Sequence, residues 1–293
     1  MTTGAETFES LRPDLLALAY RMLGEMGRAE EVVQEAWIRW QKRAAEVQSP
    51  RAFLVKVVTR LCLNELESAR ARREESRPDR LPEPIAIEDR GVGRVEVLDQ
   101  ISMAFLVVLQ RLTPGERAVL LLHEVFDFAH AEIAELLGKT EAACRQLLAR
   151  ARQNVAAERR ALAASSDEHR RLLRAFLKAA SVGDVEELKT LLAGDAVMIA
   201  DGGPRGVRVK GVRNLPRPLV GGDKIAAFVA TFARRRDGPL EQHECELNGR
   251  PAIVAMQGGR PVVAILLSVA DGRIRRLFLQ ADPARLKHVG LIQ

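Results

Sequence analysis

The hydrophobic pattern of residues 113 to 155 predicts three short helices, with a tight turn before the last of them. Apolar residues at helical spacing lead up to Gly138, which ends the middle helix. Thr140 can then accept a backbone N–H as an N-cap, and Glu141 suits the positive end of the next helix dipole. A helix that restarts within three residues of a glycine has the spacing of a helix-turn-helix.

The last of these helices has one apolar face and one polar face. The apolar positions are Cys144, Leu147, Leu148 and Ala151. The opposite face carries Glu141, Arg145, Gln146, Ala149 and Arg152. Short and basic side chains of this kind can approach a DNA major groove. Two amphipathic helices joined by a glycine turn also occur in proteins that bind no DNA, so the pattern alone leaves both interpretations open.

Residues 8 to 76 show helical periodicity throughout. A helix from about Arg28 to Arg43 places Trp37 and Trp40 on its buried side. A separate face of this helix, called here the acidic strip, consists of Glu31, Gln34, Glu35 and Ile38. Acidic side chains around one apolar residue suit a basic protein partner, and an ordinary solvated face is the alternative interpretation.

A third helix begins where Ser49 and Pro50 supply an N-cap and a first-turn proline. Polar side chains project from it at Lys56, Arg60 and Asn64, and an arginine-rich stretch that includes Arg70 follows. Aromatic residues are scarce here. Stacking on unpaired bases would therefore be limited, and polar pockets would have to replace it.

Prolines, glycines and mixed charges mark residues 77 to 94 as an inter-domain linker. Leu81 and Ile85 are apolar for a solvated linker, which indicates that the segment packs on a domain. From Val95 a helix is predicted to run to Leu112, and Thr113 with Pro114 caps the next helix.

The last part of the chain combines helices with strands. Two helices are predicted in residues 167 to 193, with Gly194 ending the second, and a third helix from about Asp223. AVMIAD is a predicted strand, and DGGP a turn. Four further strands are predicted at residues 240–248, 251–257, 260–270 and 273–281, separated by Asn-Gly, Gly-Gly and Asp-Gly pairs. Such pairs between apolar runs predict consecutive hairpins, and hence an α+β cone with a curved antiparallel sheet.

Composition limits the classes of function. The 293 residues carry a net charge of +6, with the excess of Lys and Arg after residue 164. Cys62, Cys144 and Cys245 are far apart in apolar-patterned segments, which argues against disulfides and zinc. No secretory leader and no membrane-spanning run is evident, so we expect a soluble cytoplasmic protein without a cofactor or metal ion.

Three segments in order resemble regions two and four of extracytoplasmic-function (ECF) sigma factors. These are AEEVVQEAWIRW, SPRAFLVKVVTRLCLNELESARARRE, and LTPGERAVLLLHEVFDFAHAEIAELLGKTEAACRQLLARAR. The RLPEP linker and the extra C-terminal domain resemble the ECF subgroup with a SnoaL-like extension. The resemblance implies an all-α sigma-2 domain at residues 1–76, a linker at 77–94, an all-α sigma-4 helix-turn-helix domain at 95–164 and a SnoaL-like cone at 165–293.

The resemblance also implies a role for each polar face. The acidic strip would bind the clamp helices of the RNA polymerase β′ subunit. The β subunit of the same core enzyme is the other expected polymerase partner. Lys56, Arg60, Asn64 and Arg70 would open and read the minus-ten promoter element, where a base is flipped from the stack. The minus-thirty-five element would be read by the helix that carries Thr140, Glu141, Arg145, Gln146, Arg150 and Arg152.

Regulation in cis is the further expectation from the subgroup. The C-terminal domain would replace a separate anti-sigma protein and act through the linker and the glycine turn, at Leu81, Pro82, Glu83, Pro84, Asp201, Gly202 and Gly203. Two departures stand out: Arg80 takes the place of the usual tryptophan, and Pro204 that of a further glycine. We therefore expect a packing contact of the linker to differ from that of the subgroup.

Some members of the SnoaL-like superfamily are enzymes, and Asp201, His243 and His288 are the candidate acids and bases here. None of them lies in an apolar setting that would tune its pKa for catalysis. We therefore expect a transcription factor that is not an enzyme, with a small ligand in the cone as an additional partner that the fold allows. The alternative is a ligand-responsive DNA-binding regulator or a SnoaL-like enzyme, which would leave the acidic strip unexplained.

Overall fold

The computed structural model describes residues 4–71, 80–86, 102–159, 165–203, 215, 217–235 and 240–289. The chain divides into two compact units. The helical unit comprises Met1–Pro78, Arg90–Arg94 and Val108–Ala156, and the sheet unit comprises Asp79–Asp89, Val95–Val107 and Ala157–Gln293. No helix among the described residues is long and apolar enough to cross a membrane.

The first part of the chain is helical, as the periodicity predicts. The helices are α1 (Gly4–Leu23), α2 (Met26–Gln41), α3 (Pro50–Ala71), α4 (Met103–Arg111), α5 (Pro114–Glu124), α6 (His130–Leu137) and α7 (Glu141–Arg159). The boundary between the two units falls within α4. The predicted start of this helix at Val95 lies outside the described residues.

Helix ends in the helix-turn-helix follow the predicted signals. Thr113 and Glu116 form a reciprocal capping box at the start of α5. Gly138 ends α6 with φ +63°, a left-handed conformation that glycine adopts without a steric cost. The hydroxyl of Thr140 accepts the N–H of Ala143 at 3.2 Å. The predicted caps and the glycine turn are confirmed.

Apolar faces of α1, α2 and α3 form a core in the helical unit. Leu18, Ala36 and Leu54 are fully buried in it. Trp40 is buried as predicted, whereas Trp37 is half-buried and packs against Phe8 with ring centroids 4.8 Å apart. One side of α2 is therefore fixed against this core, and the opposite side is left to solvent.

The sheet unit contains helices and one six-stranded sheet. The helices are α8 (Ser166–Val182), α9 (Val185–Leu191) and α10 (Gly222–Arg235). The strands are β1 (Leu192–Asp201), β2 (Leu219–Val220), β3 (Glu241–Leu247), β4 (Arg250–Gln257), β5 (Arg260–Ala270) and β6 (Arg273–Gln280). Their order across the sheet is β2-β1-β6-β5-β4-β3, which confirms the hairpins that join β3 to β6.

Strand β1 departs from the predicted pattern in two ways. It pairs parallel with β6, so the sheet is mixed rather than wholly antiparallel. It also begins at Leu192, which pairs with Ile274, so the prediction that Gly194 ends the preceding helix was wrong. Pairing with a strand about 80 residues further along the chain overrides the local helix-stop signal of the glycine.

Each face of the sheet is covered by different segments. Helices α8, α9 and α10 pack on one face around Leu173, Phe176 and Leu277. On the other face Leu81 of the linker and Met103 of α4 join a core formed by strand residues and the segment after β6. Two stretches of the first half of the chain thus complete the core of the sheet unit.

His169 is a buried histidine on the inward side of α8, and its Nε2 has no hydrogen-bond partner among the described residues. Burial, together with the charge of Arg250, lowers its pKa to about 4. The unfolded chain, with a pKa of about 6.5, takes up the proton first as the pH falls. The contribution of neutral His169 to the free energy of unfolding is therefore complete above about pH 6.5 and is lost progressively towards pH 4.

We expect a change from pH 7 to pH 5 to lower the free energy of unfolding of the sheet unit by about 2 kcal/mol through His169. Hydrogen exchange of the β4 and β5 amides in the full-length protein measures this change. The variant His169→Leu should lose that part of the pH dependence. An equal pH dependence in both proteins would contradict the assignment to His169.

Candidate polymerase and nucleic-acid interfaces

The acidic strip lies on the side of α2 that faces away from the core. Glu31 and Gln34 are exposed, and Ile38 keeps 40% of its surface accessible although it is a large apolar residue. Glu35 accepts a hydrogen bond from Arg39 at 2.8 Å. The predicted strip therefore exists as one continuous face of a single helix.

Three of the predicted minus-ten residues project from the same helix, α3. Lys56 and Arg60 contact α6: Lys56 Nζ lies 3.6 Å from Glu135, and Arg60 Nε donates to the carbonyl of Leu136 at 3.3 Å. Asn64 is exposed. Arg70 lies near the end of α3, and its side chain is outside the described residues.

The start of α7 presents polar side chains directly after the glycine turn. Glu141, Arg145 and Gln146 are exposed, and Arg145 donates to Glu141 at 3.1 Å, one turn apart. Cys144 and Leu148 are buried on the opposite side, which confirms the predicted division of this helix into two faces. The N-terminal turns of α7 can thus approach a groove while its apolar face stays packed.

Residues 80–86, called here the linker strap, lie against the sheet. The N–H of Leu81 donates to Asp201 Oδ2 at 3.0 Å, and the N–H of Gly203 donates to Asp201 Oδ1 at 2.9 Å. Gly203 has φ +73°, and a Cβ there would lie 2.5 Å from Cγ of Asp282. The glycine turn is therefore shaped to fit closely between Asp201 and Asp282.

Hydrogen bonds also hold the rest of the linker strap against the sheet unit. Ile85 exchanges two hydrogen bonds with Asn248, one to Oδ1 at 3.2 Å and one from the Asn248 backbone at 2.9 Å. Glu83 contacts His288 Nδ1, and the carbonyl of Leu81 accepts from Arg285. The strap residues Leu81, Pro82, Glu83, Pro84 and Ile85 are all buried. The prediction that the linker packs on a domain is confirmed.

Comparisons with known proteins identify the two helical regions and the family. A family model described as Sigma-70 region 2 matches residues 7–72, and one described as Sigma-70, region 4 matches residues 102–155. The ECF RNA polymerase sigma factor SigJ of Mycobacterium tuberculosis is 36% identical, covering 94% of this chain and 91% of its own length. The chain belongs to the ECF sigma factor family.

Two further matches extend over almost the whole sigma factor. The probable ECF RNA polymerase sigma factor SigI of the same species is 32% identical, covering 94% of this chain and 92% of its own. The crystal structure of Mycobacterium tuberculosis SigJ has a TM-score of 0.74 and 28% identity, with coverage of 98% and 99% of the two chains. The expected sigma fold with a SnoaL-like C-terminal domain is confirmed, and the protein directs RNA polymerase to promoters to initiate transcription.

Two of the predicted minus-thirty-five residues of the sigma factor also contact α5. Arg150 lies 3.8 Å from Glu116, and Arg152 donates from Nε to Glu124 at 2.8 Å. Arg152 also stands eleven residues after the start of α7, about 16 Å along its axis at about 1.5 Å per residue. Both arginines therefore hold α7 against α5 in this structure.

The candidate acids and bases of the sigma factor's cone are not brought together. Asp201 ends β1 and His243 lies in β3, four positions away in the sheet, or about 19 Å at about 4.8 Å per strand. His288 contacts Glu83 of the linker strap. The described residues also contain no group of three side chains suited to a metal ion.

Sequence reasoning missed several residues that join regions 2 and 4. Arg51 donates to the carbonyl of Phe126 at 2.9 Å, and Arg117 donates to the carbonyl of Met22. These partners are separated by 75 and 95 residues. No periodicity within a single helix signals such contacts. The position of Arg117, directly before the apolar run of residues 118–122 in its helix, was the available hint.

Proposed function

We propose that this sigma factor binds the β′ subunit of core RNA polymerase through the acidic strip, reads the minus-ten element with α3 and the minus-thirty-five element with the start of α7, and is restrained by its own C-terminal domain. The observation that carries the proposal is the exposed acidic strip, because an acidic surface of this kind indicates a protein partner in addition to DNA. Run-off transcription with core polymerase is the test. Absence of promoter-dependent initiation would overturn it.

The composition of the acidic strip supports a protein partner. A large apolar residue surrounded by carboxylates gives an apolar anchor with a charged rim, which is the usual arrangement of a protein interface. Glu31 and Glu35 favour a basic surface on the β′ subunit. Region 4, with α5 to α7, would contact the β subunit of the same core enzyme.

The side chains on α3 support recognition of an opened promoter. Lys56, Arg60 and Arg70 supply cations for phosphates, and Asn64 supplies an amide that can pair with a base edge. A base turned out of the stack can be held by such polar groups without an aromatic platform.

The start of α7 supports direct readout in a major groove. Arg145 and Gln146 have the donor and acceptor groups that recognise guanine and adenine edges, and Thr140 and Glu141 flank them. Arg150 and Arg152 then act by fixing the helix through Glu116 and Glu124. This separates two reading residues from two positioning residues on one helix.

The linker strap supports regulation by the C-terminal domain. The strap connects region 2 to region 4, so its hydrogen bonds to Asp201 and Asn248 limit the positions that the two regions can take. A promoter requires one particular spacing of these regions. Docking of the strap on the sheet unit therefore opposes promoter binding, and its release favours it.

Replacing Asp201 by alanine should raise promoter output severalfold, because two backbone N–H groups that hold the strap and the glycine turn lose their acceptor. Run-off transcription with the full-length variant measures the output, and limited proteolysis should show faster cleavage near residue 81. Asp195→Ala is the matched control, since this exposed carboxylate of the same strand pairs with Arg275 instead. Unchanged output and unchanged cleavage would contradict the role of the strap.

Truncation near residue 165 gives a second test of regulation, because it removes most of the sheet unit. Equal output from the full-length and truncated proteins would refute self-regulation and leave the sigma activity intact. Truncation uncovers the apolar residues Leu81, Ile85 and Met103, and such a surface promotes aggregation. Binding of an apolar dye is therefore measured alongside transcription, to detect this exposed surface.

We also propose that the cone can hold a small ligand. The core between the helices and the sheet consists of apolar side chains with the buried His169 at α8, so a ligand there would have to be largely apolar. The effect of an added ligand on transcription would be compared between the unaltered protein and the strap variant Asp201→Ala.

A further inference from the structure

Two histidines meet where the helix-turn-helix begins. His123 lies in the last turn of α5, and His130 is the first residue of α6. Their ring centroids are 4.6 Å apart, and both side chains are half-buried. The proposed function assigns no role to either residue. The two rings, called here the histidine pair, are therefore a titratable cluster in region 4 that the promoter-reading roles leave unused.

The backbone fixes the orientation of the first ring. His123 Nδ1 lies 3.0 Å from the carbonyl oxygen of Phe128, in the turn that leads to α6. A carbonyl oxygen can only accept a hydrogen bond, so Nδ1 carries the proton of the neutral ring. Nε2 is then the nitrogen of His123 without a proton. His130 consequently packs against an imidazole whose position and tautomer are both set by the turn.

Charged side chains of α7 lie within electrostatic reach of His130. Partial burial lowers the pKa of His130, and the neighbouring His123 and Arg145 lower it further. Glu141 opposes this effect, and Arg152 adds to it. An ordinary histidine has a pKa of about 6.5, so His130 is neutral at pH 7 in the free protein. Its charged form lacks a compensating anion.

The charges around the histidine pair favour an anion over a metal ion. Two imidazoles can be metal ligands, but the guanidinium groups of Arg145 and Arg152 repel a cation. The described part of the chain also contains no cluster of three side chains that could hold a metal. A bound anion would instead offset the like charges that oppose protonation of His130.

Arg145 connects the histidine pair to the proposed DNA surface. It is an exposed residue at the start of α7, and its charge acts on His130. A helix that enters a major groove about 12 Å wide has sugar-phosphate backbone on both sides. A side chain this close to the reading face is therefore next to the backbone, where phosphate contacts fix the register of a DNA reader.

We propose that His130, oriented by His123, binds a DNA phosphate beside the minus-thirty-five element and takes up one proton as it does so. The proposal rests on the proposed role of α7 in reading that element. His123 acts as a positioning residue, because its ring packs against His130 and its charge state affects that of its neighbour. A second proton on rings 4.6 Å apart is opposed by like charge, so the pair gains one.

Promoter affinity then depends on pH in one direction. A bound phosphate raises the pKa of His130 above its value in the free protein. At high pH the residue is neutral in both states, and affinity does not change with pH. As the pH falls through the pKa of the complex, the complex gains a proton that the free protein lacks, and affinity rises by at most about tenfold per pH unit. Below the pKa of the free protein the rise ends.

The test is binding of the RNA polymerase holoenzyme to a promoter fragment selected with the unaltered holoenzyme, between pH 8 and pH 6 at constant ionic strength. The unaltered protein should bind about five- to tenfold more tightly at pH 6 than at pH 8. The variant His130→Gln keeps a polar side chain that takes up no proton, so it should lose this gain. A gain that persists in His130→Gln, shown by circular dichroism to be folded, would overturn the proposal.

His243→Gln is the matched control for the loss of a titratable group. His243 is a half-buried histidine of the edge strand β3 in the sheet unit, with Glu241 3.9 Å away. This variant should keep the full gain in affinity at pH 6. Loss of the gain in His243→Gln as well would show that the pH dependence does not belong to the histidine pair.

His123→Asn tests the positioning role. The side-chain amide of asparagine can still donate to the Phe128 carbonyl, whereas the second imidazole is removed. Since His123 lowers the pKa of His130, the gain in affinity should appear at a higher pH in this variant. An unchanged midpoint would overturn the role of His123.

Neutral methylphosphonate linkages, placed one at a time along the minus-thirty-five element, locate the phosphate. One linkage should abolish the pH gain of the unaltered protein and leave binding by His130→Gln unchanged. If no single linkage does so, the phosphate contact is refuted. The readout by Arg145 and Gln146 is judged by a different measurement, the discrimination between base sequences. That readout can fail while the pH gain of His130 persists, and the pH gain can be absent while the discrimination holds.

Discussion

Reversing two charges of the acidic strip, Glu31→Lys with Glu35→Lys, should weaken binding to core RNA polymerase at least about 100-fold. Both carboxylates lie on the accessible side of α2 beside Ile38, and the core-facing side of the helix is left untouched. A basic partner surface would then meet two like charges. Co-purification with core polymerase and run-off transcription measure the loss.

The same charge change elsewhere on region 2 provides the control. Glu9→Lys with Glu46→Lys alters two exposed carboxylates outside the strip and should leave polymerase binding unchanged. Equal binding by both double variants and the unaltered protein would show that the strip is an ordinary solvated face. The polymerase contact would then lie on another surface of the sigma factor.

Removing the two proposed reading side chains, Arg145→Ala with Gln146→Ala, should reduce promoter binding by the holoenzyme about 100-fold. Each well-formed bidentate contact to a base contributes about 1–3 kcal/mol of discrimination. The loss should depend on the minus-thirty-five sequence. Competition between a promoter selected with the unaltered holoenzyme and copies with single base changes measures this discrimination.

Arg150 and Arg152 supply the contrast on the same helix. Replacing them by alanine removes ion pairs to Glu116 and Glu124, with most of the arginine surface exposed. Such pairs contribute at most about 1 kcal/mol each. Promoter binding should fall slightly on all sequences alike, with discrimination retained. Loss of discrimination in this variant would show that these arginines read bases after all.

Local signals in the sequence predicted the features that short segments determine. Helical periodicity located the acidic strip, and Gly138 with Thr140 located the turn of the helix-turn-helix. Asn248 and Asp271 adopt positive φ values of 53° beside glycines, as the hairpin signals predicted. Each of these depends on residues within a few positions of one another.

Features that depend on distant pairing were not predictable in the same way. The parallel pairing of β1 with β6 changed the start of that strand at Leu192. The contact of Lys56 with Glu135 joins two helices whose facing sides look like solvated polar faces in the sequence. Family resemblance named the linker and the glycine turn as regulatory elements, but it gave no indication of the hydrogen bonds of Asn248.

The linker strap has a consequence for the time course of synthesis. Its partners Asp201, Asn248 and His288 follow it by about 120 to 205 residues. At about 5–20 residues per second a ribosome needs roughly 10–40 s to produce the last of them. Region 4 is complete at residue 155, so regions 2 and 4 both exist before the last partner of the strap has been made. Under the proposed restraint, a newly made molecule would therefore be open to capture by polymerase before the strap has all its partners.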